Sequence, residues 1–508
     1  MEATPDIWAN ILNGFAVVLT PQNLLFVAIG VLVGTAIGVL PGIGPSLTIS
    51  LLLPVTFGLE PTSAFVMFGG IFYGAMYGGS TTSILVNTPG ESSSVVTAVD
   101  GFQMAKKGRG GAALATAAIG SFFAGTIATL CLMLIAPLLV RFALSFGPPE
   151  YFAIMLLALS AVTGLAGRSA PKALFATLLG LGIGMVGIDL QTGQARFTFD
   201  NLNLLGGIDA VMVAIGLFAV GEVFWAAATI KRIDEETVAL RGSLLMSREE
   251  WQRSWPSWMR GTAIGFITGI LPGAGATVAS FLSYNAERRF AKGRNELGQG
   301  AIEGVAGPEA ANNASAGGAL VPLLALGIPG SATTAVMLVA FQLYGLRPGP
   351  LLFAQQSELV WGLIASLYIA NAALLLLNLP MVRLWVRLLD VPKPVLYTAI
   401  LAFSFLGVYS DTRSVFSMAI LLVIGIIGFL LRRFDFPLAP VVLGAVLGPL
   451  IEQEFRRSLA ISVNDYSIFF TRPLSGTIMA LVVVSFLVPL ISLLWQRRSS
   501  APKTASSG

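Results

Sequence analysis

The sequence predicts an all-α polytopic integral membrane protein, with about ten to twelve transmembrane helices, some of them broken or re-entrant, built as an internal inverted repeat. Three observations carry this reading: scarce charge, long uncharged apolar runs, and Pro-Gly motifs that occur twice in the same order. Of 508 residues, 11% are charged and 55% hydrophobic, and the mean hydropathy is +0.81. A soluble domain carries about a quarter charged residues, so a soluble enzyme is excluded first. The runs Ile7–Leu59, Pro61–Gly90, Gly110–Val140, Ala310–Leu346 and Ser414–Leu431 contain no Asp, Glu, Lys or Arg. They are continuous and show no period-2 alternation, so they read as helices rather than barrel strands.

Composition also narrows the chemistry. There is no histidine and a single cysteine, Cys131. Zinc chemistry, a Ser-His-Asp triad and haem ligation by His are excluded. No internal disulfide can form, and no cofactor or metal is expected. The net charge of +4 is small, and its basic residues fall in clusters between apolar runs. That pattern marks topology rather than nucleic-acid binding. The clusters are Lys106–Arg109, Lys231–Arg260, Arg288–Arg294, Arg432–Arg433, Arg456–Arg457 and Arg497–Arg498, placed on the cytoplasmic side with the C-terminus. The N-terminus, with Glu2 and Asp6, is placed outside. A cleaved signal peptide is not expected, because the first basic residue is Lys106.

The repeat is the most informative feature. Gly34–Gly44 (GTAIGVLPGIG) and Gly265–Gly275 (GFITGILPGAG) share G-x-x-x-G-x-L-P-G-x-G. A second pair follows: Gly78-Gly79, Pro89-Gly90, Ser92–Ser94 and Phe102 against Gly317-Gly318, Pro329-Gly330, Ser331–Thr334 and Phe341. Gly78 to Phe102 and Gly317 to Phe341 are the same 24 positions apart. Equivalent loops carry opposite charge bias, Phe57–Thr62 against Arg288–Arg294 and Lys106–Arg109 against Tyr344–Pro350. By the positive-inside rule the two halves are inverted. The chain then divides into an interfacial or first-span segment, 1–22; a first half with the LPG and NTPG breaks, 23–230; a basic cytoplasmic linker, 231–260; a second half with the LPGAG and GIPG breaks, 261–390; C-terminal transmembrane helices, 391–498; and a disordered cytoplasmic tail, 499–508.

Four breaks, at Leu40–Gly44, Thr88–Gly90, Leu271–Gly275 and Ile328–Gly330, interrupt the apolar helices. Proline removes a backbone donor, and the freed polar groups survive in a membrane only beside protein or a watery cavity. Helices restarting there would aim N-terminal amides at an anion, and paired breaks in two halves point to a transporter's midplane site. The substrate-binding candidates are Gly42, Gly44, Ser46, Asn87, Thr88, Pro89, Gly90, Ser92, Ser93, Gly273, Gly275, Thr277, Asn312, Asn313, Pro329, Gly330, Ser331 and Thr333. The ion-coupling candidates are Glu309, Glu91, Asn87 and Asn313, for Na⁺ or H⁺; intramembrane carboxylates are rare and functional. Set against these readings, Gly-x-x-x-Gly serves helix packing and membrane hydroxyls often bond the preceding turn. Asp209 and Glu222 read as interface markers and Gln191–Asn203 as an exposed loop.

At these residues the chain resembles the large membrane subunit of the tripartite tricarboxylate transporters, the TctA type. The resemblance rests on residues 34–57, 77–111, 269–289 (GILPGAGATVASFLSYNAERR) and 308–338. It implies a bacterial inner-membrane, multi-pass permease working with a small four-span membrane subunit and a periplasmic solute-binding protein. The substrate it implies is a di- or tricarboxylate or related organic acid, moved by an ion gradient; consistently, no P-loop is present. Alternatives are a membrane channel, or an autonomous organic-anion carrier without a binding protein. A membrane enzyme would need Asp pairs or a Ser-Lys dyad, and no Asp lies in any break.

Overall fold

The computed structural model describes residues 7–40, 43–165, 169–189, 192–229, 244–388 and 391–485. Gly42, Lys231, Arg232, Arg241, Arg497, Arg498 and the tail 499–508 lie outside the described residues. In chain order the helices are α1 (Ile7–Val18), α2 (Pro21–Gly38), α3 (Pro45–Leu52), α4 (Pro61–Val86), α5 (Val95–Lys106), α6 (Gly110–Ala143), α7 (Pro148–Leu165), α8 (Ala170–Gly184), α9 (Ala210–Ala214) and α10 (Gly221–Ala228). They continue with α11 (Arg248–Ile270), α12 (Gly275–Phe290), α13 (Glu303–Leu326), α14 (Ala332–Leu343), α15 (Pro350–Gln355), α16 (Ser357–Arg387), α17 (Lys393–Thr412), α18 (Val415–Arg433), α19 (Ala439–Ile461) and α20 (Ile468–Thr471). A π-helical turn, Ile215–Val220, joins α9 to α10.

The chain is an all-α polytopic membrane protein. Among the described residues, 6 helices are long and apolar enough to cross a membrane by themselves, and shorter apolar helices such as Ala170–Gly184 and Ala332–Leu343 accompany them. Other helices fall outside that group for physical reasons. The breaks shorten some helices, and α4 and α13 carry Ser, Thr, Asn and Gly in place of apolar side chains. Those two helices are shielded by protein: every residue from Thr62 to Val86 and from Glu303 to Ala325 is buried. At 12 residues, α1 is about 18 Å long, too short for the roughly 30 Å hydrocarbon core. α11 begins at Arg248 with a Ser247/Glu250 capping box, inside the stretch read as a linker.

Two compact units are formed. The smaller comprises 145–207 and 435–508. In it Gly180 and Gly184 of α8 lie against the backbone of Val441 and Ala445 in α19. The stretch read as an exposed loop carries the second strand of a two-residue hairpin, Gly187–Ile188 with Ala195–Arg196. Arg196 pairs there with Glu452 at 2.8 Å.

The larger unit, 1–144 and 208–434, holds all four breaks. Its two halves repeat one packing scheme. A side chain on Gly34 or Gly38 of α2 would strike the carbonyls of Ile71 or Ala75 in α4. One on Gly265 or Gly269 of α11 would strike those of Ala311 or Ser315 in α13. Close backbone approach through small residues is what holds helices together in lipid.

The contacts also correct the register. Gly78 lies against the Thr35 carbonyl and Gly318 against that of Phe266, so Gly78 pairs with Gly318, one position from the sequence pairing with Gly317. The helix ends agree. α4 closes on left-handed Asn87 and α13 on left-handed Gly327, and capping boxes follow at Glu91/Ser94 and Ser331/Thr334. The equal spacing to Phe102 and Phe341 arises because α5 and α14 do not keep one register to their ends. Phe341 accepts the closing amide of Leu346 at 2.8 Å, the place Met104 takes with Arg109.

The equivalent helices α4 and α13 cross antiparallel. Tyr73 meets Gly317, the Met76 carbonyl accepts from Asn312, and Ser80 reaches Glu309. This is the relation an inverted repeat requires. Each post-break helix then packs on the other half. α14 stacks Phe341 on Phe65 of α4 with centroids 3.9 Å apart, while α5 ties Asp100 to Tyr284 of α12 at 2.9 Å.

Candidate functional site at four broken helices

The chain breaks at all four predicted places, and the breaks meet. After α4, the chain folds back so that Gly90 seats on Gly79 and on the Gly38 carbonyl. A side chain on Gly44, at the start of α3, would touch Glu91 Oε2 at 3.7 Å, so the first two breaks adjoin. Ser92 and Thr277 share a hydroxyl–hydroxyl hydrogen bond of 2.8 Å, joining the second to the third. The Gly273 amide donates to the Gly330 carbonyl at 3.0 Å, joining the third to the fourth.

The predicted residues fall into three groups. Gly44, Ser46, Gly273, Gly275, Thr277 and Ser331 are part-exposed at the breaks, as are Thr88 and Pro89, whereas Asn87 and Ser92 are open to solvent. Gly90, Ser93, Pro329, Gly330 and Thr333 are buried beside them. Asn312 and Asn313 do not lie at a break. They sit fully buried inside the continuous helix α13. Asn313 donates to Ser121 at 2.7 Å and to the Glu309 carbonyl at 3.2 Å. Several hydroxyls take the packing alternative: Thr48 bonds the Gly44 carbonyl, and Thr82 and Ser83 bond that of Gly79.

The four helix N-termini are not equivalent. Glu91 caps the turn leading into α5 and also accepts from Ser93. It thus places a carboxylate at the second break, close to the start of α3. Ser331 caps α14, accepting the Thr334 amide at 3.2 Å. Among the described residues, α3 and α12 receive no side-chain cap. The first-half breaks thus carry a resident carboxylate, Glu91, whereas the second-half breaks present amides and the hydroxyls Thr277, Ser331 and Thr333. Gly273 and Gly275, at φ 82° and 61°, occupy left-handed conformations that suit glycine there.

Glu309, on α13, is fully buried. Its two oxygens accept the hydroxyls of Ser80 on α4 and Thr97 on α5. Glu303 is not part of this group. At the start of α13 it is gripped by Arg253 at 2.8 Å.

Sequence reading missed two features. Asp100, fully buried on α5, accepts the amides of Gly298, Gly300 and Ala301 at 2.8, 2.8 and 3.0 Å and the Tyr284 hydroxyl. It fastens the post-break helix of one half to the other. The local signal was a lone Asp in an apolar helix; the Gly-Gln-Gly loop it meets, a carboxylate-binding nest, lies far away in the chain. The second is a polar clamp on the basic loop. Lys107 donates to the Gln299 carbonyl at 2.6 Å, and Arg109 pairs with Glu250 at 2.8 Å. Burial pushes the Glu250 carboxyl up, but the Ser247 amide and Arg109 overcome it and hold the group below the usual carboxylate range. Asp209 caps α9, and Glu222 is paired with Arg432.

Fold and site together define a polytopic transporter-type membrane protein, with unwound helix tips from two related halves gathered at one place. Residues 24–443 match the Tripartite tricarboxylate transporter TctA family, and the chain belongs to it. An Agrobacterium vitis protein, the "Uncharacterized 52.8 kDa protein in TAR-I ttuC' 3'region", is 47% identical over 97% of this chain and 98% of its own length. A second from the same organism, the "Uncharacterized protein in TAR-II ttuC' 3'region", is 43% identical over 46% of this chain and 97% of its own. No solved structure matches.

Proposed function

We propose that this chain is the permease subunit that carries a di- or tricarboxylate, or a related organic acid, across the bacterial inner membrane. The solute comes from a periplasmic binding protein, a small four-span subunit completes the complex, and a Na⁺ or H⁺ gradient drives the step. The single observation that carries the reading is the contact chain Gly44–Glu91, Ser92–Thr277 and Gly273–Gly330, which gathers all four breaks. The substrate carboxylate is assigned to the second-half tips, Gly273, Gly275, Thr277, Ser331 and Thr333, where N-terminal amides and hydroxyls replace a buried arginine. Glu91 and Glu309 lie on the ion side. Transport then needs no protein cation at the anion site, and the resident carboxylates repel an anion until an ion neutralises them.

The test is uptake of labelled carboxylates in cells with and without this chain, its binding protein and its small subunit, under imposed Na⁺ or proton gradients. Saturable, gradient-dependent uptake that vanishes with the chain is expected. Unchanged uptake in its absence overturns the reading, and unsaturable flux makes it a channel.

A further inference from the structure

We propose that Glu309, Asn312, Ser80 and Thr97 form a binding site for a sodium ion; this rests on the transport reading and names its coupling ion and the ligands.

Glu309 is 0% exposed and makes no ion pair among the described residues. A buried carboxylate with no cationic partner is costly unless its charge is neutralised. Its described hydrogen-bond donors are all neutral: two hydroxyls on two other helices and the Asn312 side chain. The Asn312 side chain lies against the same carboxylate, one turn along α13, and its amide donates to the Met76 carbonyl at 3.3 Å. Its other atom, Oδ1, is also buried and has no hydrogen-bond partner among the described residues. A buried acceptor left unmatched is rare. It belongs to a side chain whose amide meets an anion that is itself short of positive charge, and one cation coordinated there would satisfy both.

The donor set selects the cation. Carboxylate, amide and hydroxyl oxygens are hard ligands, and no nitrogen or sulfur joins them. One carboxylate balances one positive charge, which favours a monovalent ion over Ca²⁺ or Mg²⁺. The ligands span α4, α5 and α13, so an ion there bonds both halves at once. Thr97 is on the helix that follows the second break, and Ser80 is next to Gly79, whose added side chain would meet Glu91 Cγ at 3.3 Å. Occupancy therefore fixes the position of the second break, which gives the ion a physical route to the substrate tips.

The experiment is thermal unfolding of the purified full chain in detergent, titrated with NaCl at constant ionic strength made up with choline chloride, with direct ²²Na⁺ binding alongside. The melting temperature is expected to rise saturably with Na⁺ and not with K⁺. Glu309→Gln is expected to abolish the rise, and Asn312→Leu to weaken Na⁺ affinity about 10–100-fold. If a variant does not fold, the wild-type titration and ²²Na⁺ binding decide. A wild type indifferent to Na⁺, an equal response to K⁺, or a rise that survives both substitutions overturns the site. Carboxylate uptake driven by a proton gradient with no sodium effect removes the sodium site and leaves the carrier. Saturable ²²Na⁺ binding in a chain that moves no carboxylate removes the carrier and leaves the site.

Discussion

Gly90 and Gly330 occupy equivalent places in the two halves, yet the structure gives them unequal tolerance for a side chain. Neither has a positive φ, so the effect of alanine at each is steric alone. On Gly90 a Cβ would lie 2.4 Å from the Gly38 carbonyl oxygen and 2.5 Å from Gly79 Cα. Both are backbone atoms of buried helices and cannot swing away. On Gly330 the nearest atoms are the Gly269 carbonyl oxygen at 3.0 Å and Ala319 Cβ at 3.4 Å, which a shift of a few tenths of an ångström relieves. Overpacking a dense interior costs about 1–3 kcal/mol. Gly90→Ala belongs at or above the top of that range, and Gly330→Ala at about 1 kcal/mol or less. At roughly 2–4 °C per kcal/mol, and less in a chain this long, Gly90→Ala is expected to melt several degrees lower. The assay is thermal unfolding of both variants in detergent, read by size-exclusion recovery. Equal melting temperatures, or a less stable Gly330→Ala, would refute the steric argument. These numbers also assign Gly90 to helix packing, so a loss of transport in Gly90→Leu reports a displaced break rather than blocked substrate.

Ser92→Cys with Thr277→Cys, in a Cys131→Ala background, is expected to cross-link under mild oxidation, joining breaks from opposite halves; no cross-link in folded protein would contradict their contact. Asp100→Ala leaves three amides and a tyrosine hydroxyl unmatched, at about 1–3 kcal/mol each, so loss of folded protein is expected; Asp100→Asn, which keeps one acceptor oxygen, should be milder, and equal yields would show that the nest is not closed by this side chain. The Arg109–Glu250 pair has a depressed carboxyl. Its stabilisation is therefore present at neutral pH and lost as pH falls through the folded value, below the ordinary carboxylate range. Arg109→Gln should remove that part of the acid sensitivity of the melting temperature, and an unchanged acid profile would contradict it.

Much of this architecture was legible because its signals are local. Proline lacks an amide, and where it is joined to glycine, at Pro89-Gly90 and Pro329-Gly330, it marked breaks, whereas Pro137, Pro256, Pro308 and Pro322 lie inside continuous helices; LPG with its glycines exposed the repeat. Contacts between distant segments carry no such mark. Nothing near Asp100 names Tyr284 or the 298–301 loop, and nothing near Ser92 names Thr277. Polarity was ambiguous in two places. Asn312 and Asn313 resembled break-lining residues, but the alanine-rich run around them continues as helix, and their amide groups donate to α4 and α6. Hydropathy alone passes over α4 and α13, because it assumes lipid contact, whereas both are wrapped in protein. The register slip at Gly317 shows a further limit: tandem glycines offer two alignments, and only the carbonyl each glycine rests on distinguishes them.

The central claim is that the second-half tips hold the substrate carboxylate. It is tested by single cysteines at Thr277 and Ser331, in the Cys131→Ala background, labelled by a maleimide in cells that retain uptake. The carboxylate identified by uptake should slow labelling at both positions, saturably and at the concentrations that support transport. Active transport with neither position protected at saturating substrate would contradict the account.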